Sequence, residues 1–276
     1  MKKIFFFLFL LFYLVNGKIL YAFEYSISLT NSYGFNRVNE AVEAILPPEV
    51  ATSLPSLALY DEKDVIIPYQ LLSGTEKIVF QATVNAWATV VYKLKDGTPA
   101  TTTTKTYAAQ KIPSTRNDIA WENDLSANRM YSKVLLSSEP NTSNGVDLWS
   151  KKQAAPIIDA MYGYTSPDYH TETAERAGMD VYSVGGKTLG SGGIVAYANS
   201  KLWLHDPFDE CTIVANGPLQ SEFILTYKKV EIDGDLYTKT VRITTSANGL
   251  LNKAVVKYEG NIRRNCLKVR IFPIYC

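Results

Sequence analysis

Two alternating runs, residues 222–227 and 236–245, flank the turn Ile232-Asp233-Gly234-Asp235. In the first, Phe223, Leu225 and Tyr227 fall on every second position. A period of two sends alternate side chains to opposite faces of a strand, and an Asp-Gly turn between two such runs is the signature of a hairpin. A chain that holds this hairpin must bury one of its faces, so it must build further sheet around it. The same habit recurs along the sequence. Phe23, Tyr25, Ile27 and Leu29 alternate with Glu24, Ser26 and Ser28. Residues 57–60 and 65–71 read as strands about the polar turn Asp61-Glu62-Lys63-Asp64, and 77–81 and 88–94 as two more, the last ending on the hairpin signal Lys95-Asp96-Gly97. Runs 193–197 and 201–204 flank Ala198-Asn199-Ser200, and 211–215 and 251–258 complete the series. Residues 37–46 have the composition of a helix without clean spacing, and Pro47-Pro48 stops them in either state. The Thr-rich stretch 98–106 reads as an edge strand or an exposed loop. Many short strands and few helical periods predict an all-β chain, a large antiparallel β-sandwich. Eighteen tyrosines suit such pleated, half-buried surfaces.

The start has another character. Met1-Lys2-Lys3 precedes an apolar run, residues 4–15, with the length of a signal-peptide core and too short for a typical span. Cleavage after Ala22 would leave residues 23–260 as one sandwich domain and 261–276 as an atypical tail. Export places the protein in the periplasm or outside the cell, with no later run long enough to cross a bilayer. A formal charge of +1, with neither basic stripe nor basic tail, argues against a nucleic-acid partner. Cys211, Cys266 and Cys276 cannot all pair, and their spacing matches no zinc pattern.

The densest mix of carboxylates, arginines, amides and aromatics lies at residues 116–131. Planar polar groups suit hydroxyls and aromatic faces suit the C–H side of a sugar ring, so the expected ligand is a carbohydrate. Glu122 and Asp124 stand two apart; on a strand they would share a face and form an acid–base pair. They are equally suited to hydroxyls, to a calcium ion, or to a network with Arg116 and Arg129. Arg129 has the fork to grip a uronic-acid carboxylate, or to pair with Glu122 or Asp124. Trp121 and Trp149 are candidate stacking platforms or buried sandwich tryptophans. Of the two histidines, His205 beside Asp206 reads as structural. His170, in the polar loop Pro167-Asp168-Tyr169-His170, reads as a general acid or base or as a surface histidine. The run Leu189-Gly190-Ser191-Gly192-Gly193 lacks the Gly-Lys-Ser/Thr ending of a phosphate loop and reads as a tight bend. No Gly-x-Ser-x-Gly or His-Glu-x-x-His is present.

The core Arg116-Asn117-Asp118-Ile119-Ala120-Trp121-Glu122-Asn123-Asp124-Leu125, followed by Ala127-Asn128-Arg129-Met130-Tyr131, resembles the bacterial family named domain of unknown function 4861. Leu125 stands where the family usually has Arg, and Asn117 where it usually has Asp. Gly145-Val146-Asp147-Leu148-Trp149, Tyr169-His170, Gly178-Met179-Asp180-Val181-Tyr182-Ser183-Val184-Gly185, the Gly190 run and Asn216-Gly217-Pro218 follow in family order. The resemblance covers about residues 24–258. It implies a fold similar to the galactose-mutarotase-type supersandwich and a place among carbohydrate-degradation proteins. His170 would then move the proton, with Glu122, Asp124 or Asp180 as partner. Arg116, Trp121, Asn123, Arg129 and Tyr169 would hold the sugar. It names no reaction: lyase, hydrolase and epimerase chemistry all use such groups, and a non-catalytic sugar-binding protein or a truncated, inactive relative is the alternative. Family chains run further, so the resemblance also implies a truncated or frame-shifted end from Asn261 onward.

Overall fold

A computed structural model of the chain describes residues 11–15, 18–111, 116–164, 170–171, 173, 176–181, 184–186, 188–260 and 268–271. Its internal contacts separate two units, Met1–Thr103 and Thr104–Cys276. Each unit completes its own sheets. The class is as expected: the strands pair antiparallel throughout.

The first unit holds β1 (Leu11–Val15), β2 (Lys18–Ala22), β3 (Glu24–Thr30), β4 (Arg37–Ile45), β5 (Leu57–Tyr60), β6 (Ile66–Ile67), β7 (Tyr69–Leu71), β8 (Lys77–Val84) and β9 (Thr89–Asp96). β1 pairs with β2; two larger sheets run β3-β9-β5-β6 and β4-β8-β7. Their inward residues, Tyr25 and Ile27 of β3, Leu57 and Leu59 of β5, Ile78 and Phe80 of β8 and Leu94 of β9, share one core. The short helix α1 (Pro48–Ser53) adds Val50 to it. Residues 37–45 are strand despite their helix-prone composition, because β4 pairs with β8 along nearly its whole length. Pairing overrides a propensity that is only a weak prior. Lys95-Asp96-Gly97 is not a hairpin: Gly97 N donates to Ser56 O and the chain leaves the sheet, with no strand over 98–106.

The second unit holds β10 (Tyr107–Lys111), β11 (Asp118–Glu122), β12 (Ala127–Met130), β13 (Asp147–Lys151), β14 (Gly178–Asp180), β15 (Ile194–Ala198), β16 (Lys201–Trp203), β17 (Glu210–Ala215), β18 (Gln220–Ile232), β19 (Asp235–Ser246), β20 (Lys253–Glu259) and β21 (Lys268–Ile271). The hairpin read first in the sequence is β18–β19, with Ile232 opposite Asp235 and both Asp233 and Gly234 at positive φ, the geometry its two-residue turn demands. Sheets run β10-β11-β12-β13-β14, β17-β18-β19-β20 and β16-β15-β21. The first two face each other across a core of Ile119, Trp121 and Met130 against Phe223, Leu225, Val241 and Ile243. That core takes one face of the first sheet. The helix α2 (Ile158–Gly163) lies with the other face, sharing a cluster with Ala120, Ala127 and Trp149. Among the described residues no helix is long and apolar enough to cross a membrane.

Candidate active site

The side of the first sheet turned toward α2 is polar by register. Ala120 pairs with Arg129, Arg129 with Asp147, and Trp149 with Asp180. With a period of two, Asp118, Arg129, Asp147 and Asp180 therefore project from one face of four adjacent strands, while Ile119, Trp121 and Met130 project from the other. Arg129 is its centre. Its Nε and Nη2 donate to Asp147 Oδ2 at 3.0 and 2.5 Å, and Nη2 also donates to Asp180 Oδ2 at 3.0 Å and to Tyr131 Oη at 2.9 Å. Tyr131 Oη donates in turn to Asp147 Oδ2 at 2.7 Å. The guanidinium lies over the Tyr131 and Trp149 rings, at 4.9 and 5.0 Å. Asp147 is fully buried, and Arg129 and Asp180 nearly so. Burial opposes the Arg129 charge, but Tyr131 and Asp147 outweigh it and hold the arginine well above its usual pKa. Burial, then the Asp147 carboxylate, pushes the Tyr131 phenol up, against the pull of Arg129. Burial also raises Asp118 despite Arg129 and Arg116.

Asp147 is pinned by the glycine run. Val146 N donates to Gly192 O, and Ser191 N and Oγ donate to Val146 O, at 2.8, 2.8 and 3.1 Å. Only glycine allows this approach. A Cβ on Gly190, whose φ is +55°, would sit 2.3 Å from Val146 O, and one on Gly145 would sit 2.5 Å from the Leu189 backbone. The run is thus a backbone latch on the strand that carries Asp147. The same face holds buried polar atoms without a hydrogen-bond partner: Asp118 Oδ1, Asp147 Oδ1, Trp149 Nε1 and Tyr162 Oη. Such atoms are rare in folded interiors.

His170 sits at the rim, its side chain about half exposed, with Nδ1 3.7 Å from Asp180 Oδ2. The structure thus brings together three residues chosen from the sequence, Arg129, Asp180 and His170. Arg116 joins the same face, one-quarter exposed, bridging Asp118 Oδ2 at 3.1 Å and Glu139 Oε1 at 2.7 Å. Tyr169 lies outside the described residues. Asp118, Tyr131 and Asp147 were not singled out as site residues, although all three lie inside the quoted family stretches.

Several expectations are corrected. Glu122 and Asp124 do not share a face, because β11 ends at Glu122 and Asn123 opens a turn: its Oδ1 accepts from Leu125 N and Ser126 N, both at 2.9 Å. Glu122 is fully buried, ion-paired to Lys151 at 2.6 Å, and accepts the Ile157 and Ile158 amides at the start of α2. It anchors α2 rather than facing a substrate. Asp124 accepts from Asn248 N at 2.6 Å. Asn123 is buried, its amide donating to Ser246 O and Gly249 O, so it ties the turn to the β19–β20 connection. Trp121 is buried on the opposite face against Phe223, with Nε1 on Asn252 Oδ1 at 3.1 Å, and presents no ring for stacking. Trp149 is buried beneath Tyr162. Arg129 is too buried to grip a substrate carboxylate and pairs with Asp147 and Asp180 rather than Glu122 or Asp124. Among the described residues no group of His, Cys, Asp or Glu is placed to hold a metal ion.

His205 belongs to another cluster. Its Nδ1 donates to Asp206 O at 2.8 Å, leaving Nε2 to accept from Lys239 Nζ at 2.8 Å. Lys239 is fully buried, donates to Ile194 O at 2.7 Å and lies over the Tyr227 ring at 4.6 Å. Burial lowers it to about 7, and burial, then the Lys239 charge, lowers His205 to about 4. Beside them opens a cleft of about 220 Å³ lined by Ser143, Asn144, Leu204, His205 and Asp206. Cys211 is a free thiol that burial pushes up to about 12, which makes it inert. Cys266 and Cys276 lie outside the described residues.

The sequence profile of the family described as "Domain of unknown function (DUF4861)" matches residues 29–269. A curated relative, "Uncharacterized protein P7" of Formosa agariphila, is 31% identical over 139 residues, 47% of this chain and 33% of that protein. The chain therefore aligns with about a third of the length of that relative. No solved structure matches.

Proposed function

The chain belongs to the DUF4861 family, and on that premise we propose that it is an exported, carbohydrate-active protein whose His170 transfers a proton to or from a sugar or uronic-acid unit. One observation carries the reading: an exposed imidazole stands 3.7 Å from a buried carboxylate, Asp180, which Arg129 and its register hold in place. A proton-transfer histidine needs a reachable ring and an orienting partner on its other nitrogen. Nδ1 is the nitrogen that faces Asp180, and the proposed transfer runs through Nε2. The 3.7 Å separation is of the length that apo sites show before substrate tightens them. Asp180 and Arg129 are positioning residues, not groups that touch sugar. Arg116, partly exposed on the same face, is the cation we assign to an acidic substrate, whose carboxylate would displace Glu139 from it. Glu122, Asp124, Trp121 and Asn123 leave the machinery for the structural reasons given above.

Export rests on the apolar run of residues 4–15, and the carbohydrate class on the polar and aromatic composition of this face and on the family resemblance. The test is a thermal-shift screen of the protein against neutral oligosaccharides and uronic-acid oligosaccharides, followed by product analysis on any that raise the melting point. His170→Ala is expected to keep the shift and lose turnover. Turnover retained in that variant removes the proton-transfer role. A shift with no turnover in the wild type favours the alternative, a sugar-binding protein without chemistry.

A further inference from the structure

One end of the first unit carries three large aromatic rings in solvent: Tyr33 at 56%, Phe35 at 55% and Trp87 at 73% of full exposure. Tyr33 and Phe35 lie on the β3–β4 connection and Trp87 on the β8–β9 connection. They form one patch. Tyr33 and Phe35 have centroids 5.6 Å apart, and a Cβ on Gly34 would lie 3.5 Å from the Trp87 indole nitrogen, so the indole rests on the Gly34 backbone. Nothing in the sequence reading points there, because all three rings lie between the runs that read as elements.

The patch is held rigid from beneath. Asn31, almost fully buried, places its amide nitrogen 2.7, 3.2 and 3.1 Å from the carbonyls of Phe35, Val84 and Asn85. Its own Oδ1 accepts from Tyr33 N at 3.2 Å. Trp87 N donates to Tyr33 O at 3.2 Å, and Ala86 N donates to Asn36 Oδ1 at 2.9 Å. One buried asparagine thus ties two connections together and fixes the backbone that carries the rings. Trp87 adopts φ +58°, a conformation a bulky side chain rarely takes and holds only where its surroundings over-determine it. An exposed tryptophan on a backbone this constrained is presented to solvent rather than left there.

We infer that Trp87, with Phe35 and Tyr33, is a stacking platform for the pyranose rings of a polysaccharide, a second and non-catalytic sugar site on the first unit. This rests on the reading of the chain as carbohydrate-active. Ring faces meet the C–H faces of a sugar, and a preformed platform binds without the cost of ordering side chains. The rim supplies hydrogen-bonding groups at Asn36, Asn85 and Arg37, whose guanidinium lies 5.0 and 5.2 Å over the Tyr33 and Phe35 rings. Arg37 is paired with Glu40 at 2.7 Å, so the patch has no unbalanced charge to draw nucleic acid or an acidic bilayer. The three rings expose roughly 400 Å² together, well short of the roughly 800 Å² per partner of a stable protein interface. The area suits a few sugar units rather than a second copy of the chain.

Affinity electrophoresis of the full chain in gels containing laminarin, xylan or alginate tests this. The wild type should be retarded in at least one, Trp87→Ala should weaken that retention by about tenfold or more, and Phe35→Ala by less. His170→Ala should be retarded like the wild type, which separates this site from the proposed chemistry. Loss of turnover in His170→Ala with retention intact leaves both readings standing. Retention that depends on Trp87 in a protein without turnover keeps the platform and removes the chemistry. Equal retention of wild type and Trp87→Ala, or no retention of the wild type in all three gels, overturns the platform. Self-association of the wild type in sedimentation that Trp87→Ala abolishes also overturns it, by assigning the patch to a second copy.

Discussion

Arg129 and Lys239 are both buried cations in the second unit, and their surroundings are opposite. Arg129 meets two carboxylates, a phenol and two ring faces. Lys239 meets a carbonyl, a neutral imidazole and one ring, and among the described residues no carboxylate pairs with it. The first environment keeps its cation charged, while the second pulls its lysine down to about 7. Burial is similar, so the difference lies in the partner charges. A charge locked in place is a fixed support, able to orient Asp180 and through it His170. A charge that titrates near neutrality makes the structure around it respond to pH.

The largest effect should come from Arg129→Met. It leaves Asp147 and Asp180 buried without their cation and should cost about 3–5 kcal/mol in urea unfolding. Lys239→Met should change stability far less at high pH, since it removes a group already neutral there. Equal losses for the two would break the comparison.

Lys239 sharpens it through pH. Its folded value of about 7 lies below the unfolded value of about 10.4. Between the two, the unfolded chain holds the proton and the native state does not. Lys239's contribution to wild-type stability therefore rises with pH across that window, by about 1.4 kcal/mol per unit. Lys239→Met should remove that slope. His205, about 4 when folded against about 6.5 unfolded, adds a second loss of stability as pH falls through that lower range. Asp206, Asn144 and Tyr227 face the pair. Unfolding curves of wild type and Lys239→Met that stay parallel from pH 7 to 10 would contradict this account.

The smallest effect is expected at Asp124. Asp124→Ala loses one hydrogen bond to the Asn248 amide and should cost about 1 kcal/mol in unfolding, with turnover unchanged. A large loss of turnover there would restore the carboxylate pair that the turn at Asn123 separates.

Much of the fold is legible because it is local. The Asp233-Gly234 turn fixes the register of β18 and β19, and the alternation of Tyr25 and Ile27 names the inward face of β3. Residues 37–45 are less so, since what makes them strand is β8, distant in sequence. The site is legible in part. His170, Asp180 and Arg129 stand out by residue type, but Asp147 reaches Arg129 only through the β12–β13 register, which spacing along the chain does not reveal. Glu122 and Asp124 show the opposite failure: the period of two runs only to Glu122, two residues short of Asp124. Asn123-Asp124 is itself turn chemistry, and the Asn123 side chain caps that turn. Trp121 and Trp149 read as platforms or buried tryptophans and are buried, while the exposed Trp87 sits in a connection with no periodic signal.

The most direct test of the central claim is the pH–rate profile of Asp180→Asn beside the wild type, on whichever oligosaccharide the thermal screen identifies. If Asp180 orients His170 for proton transfer, the variant should melt as a folded protein and bind the sugar, turn over about 10²-fold more slowly, and shift the limb that His170 sets. An unchanged rate and profile in a folded Asp180→Asn would contradict the account and leave the Arg129 network as a structural device alone.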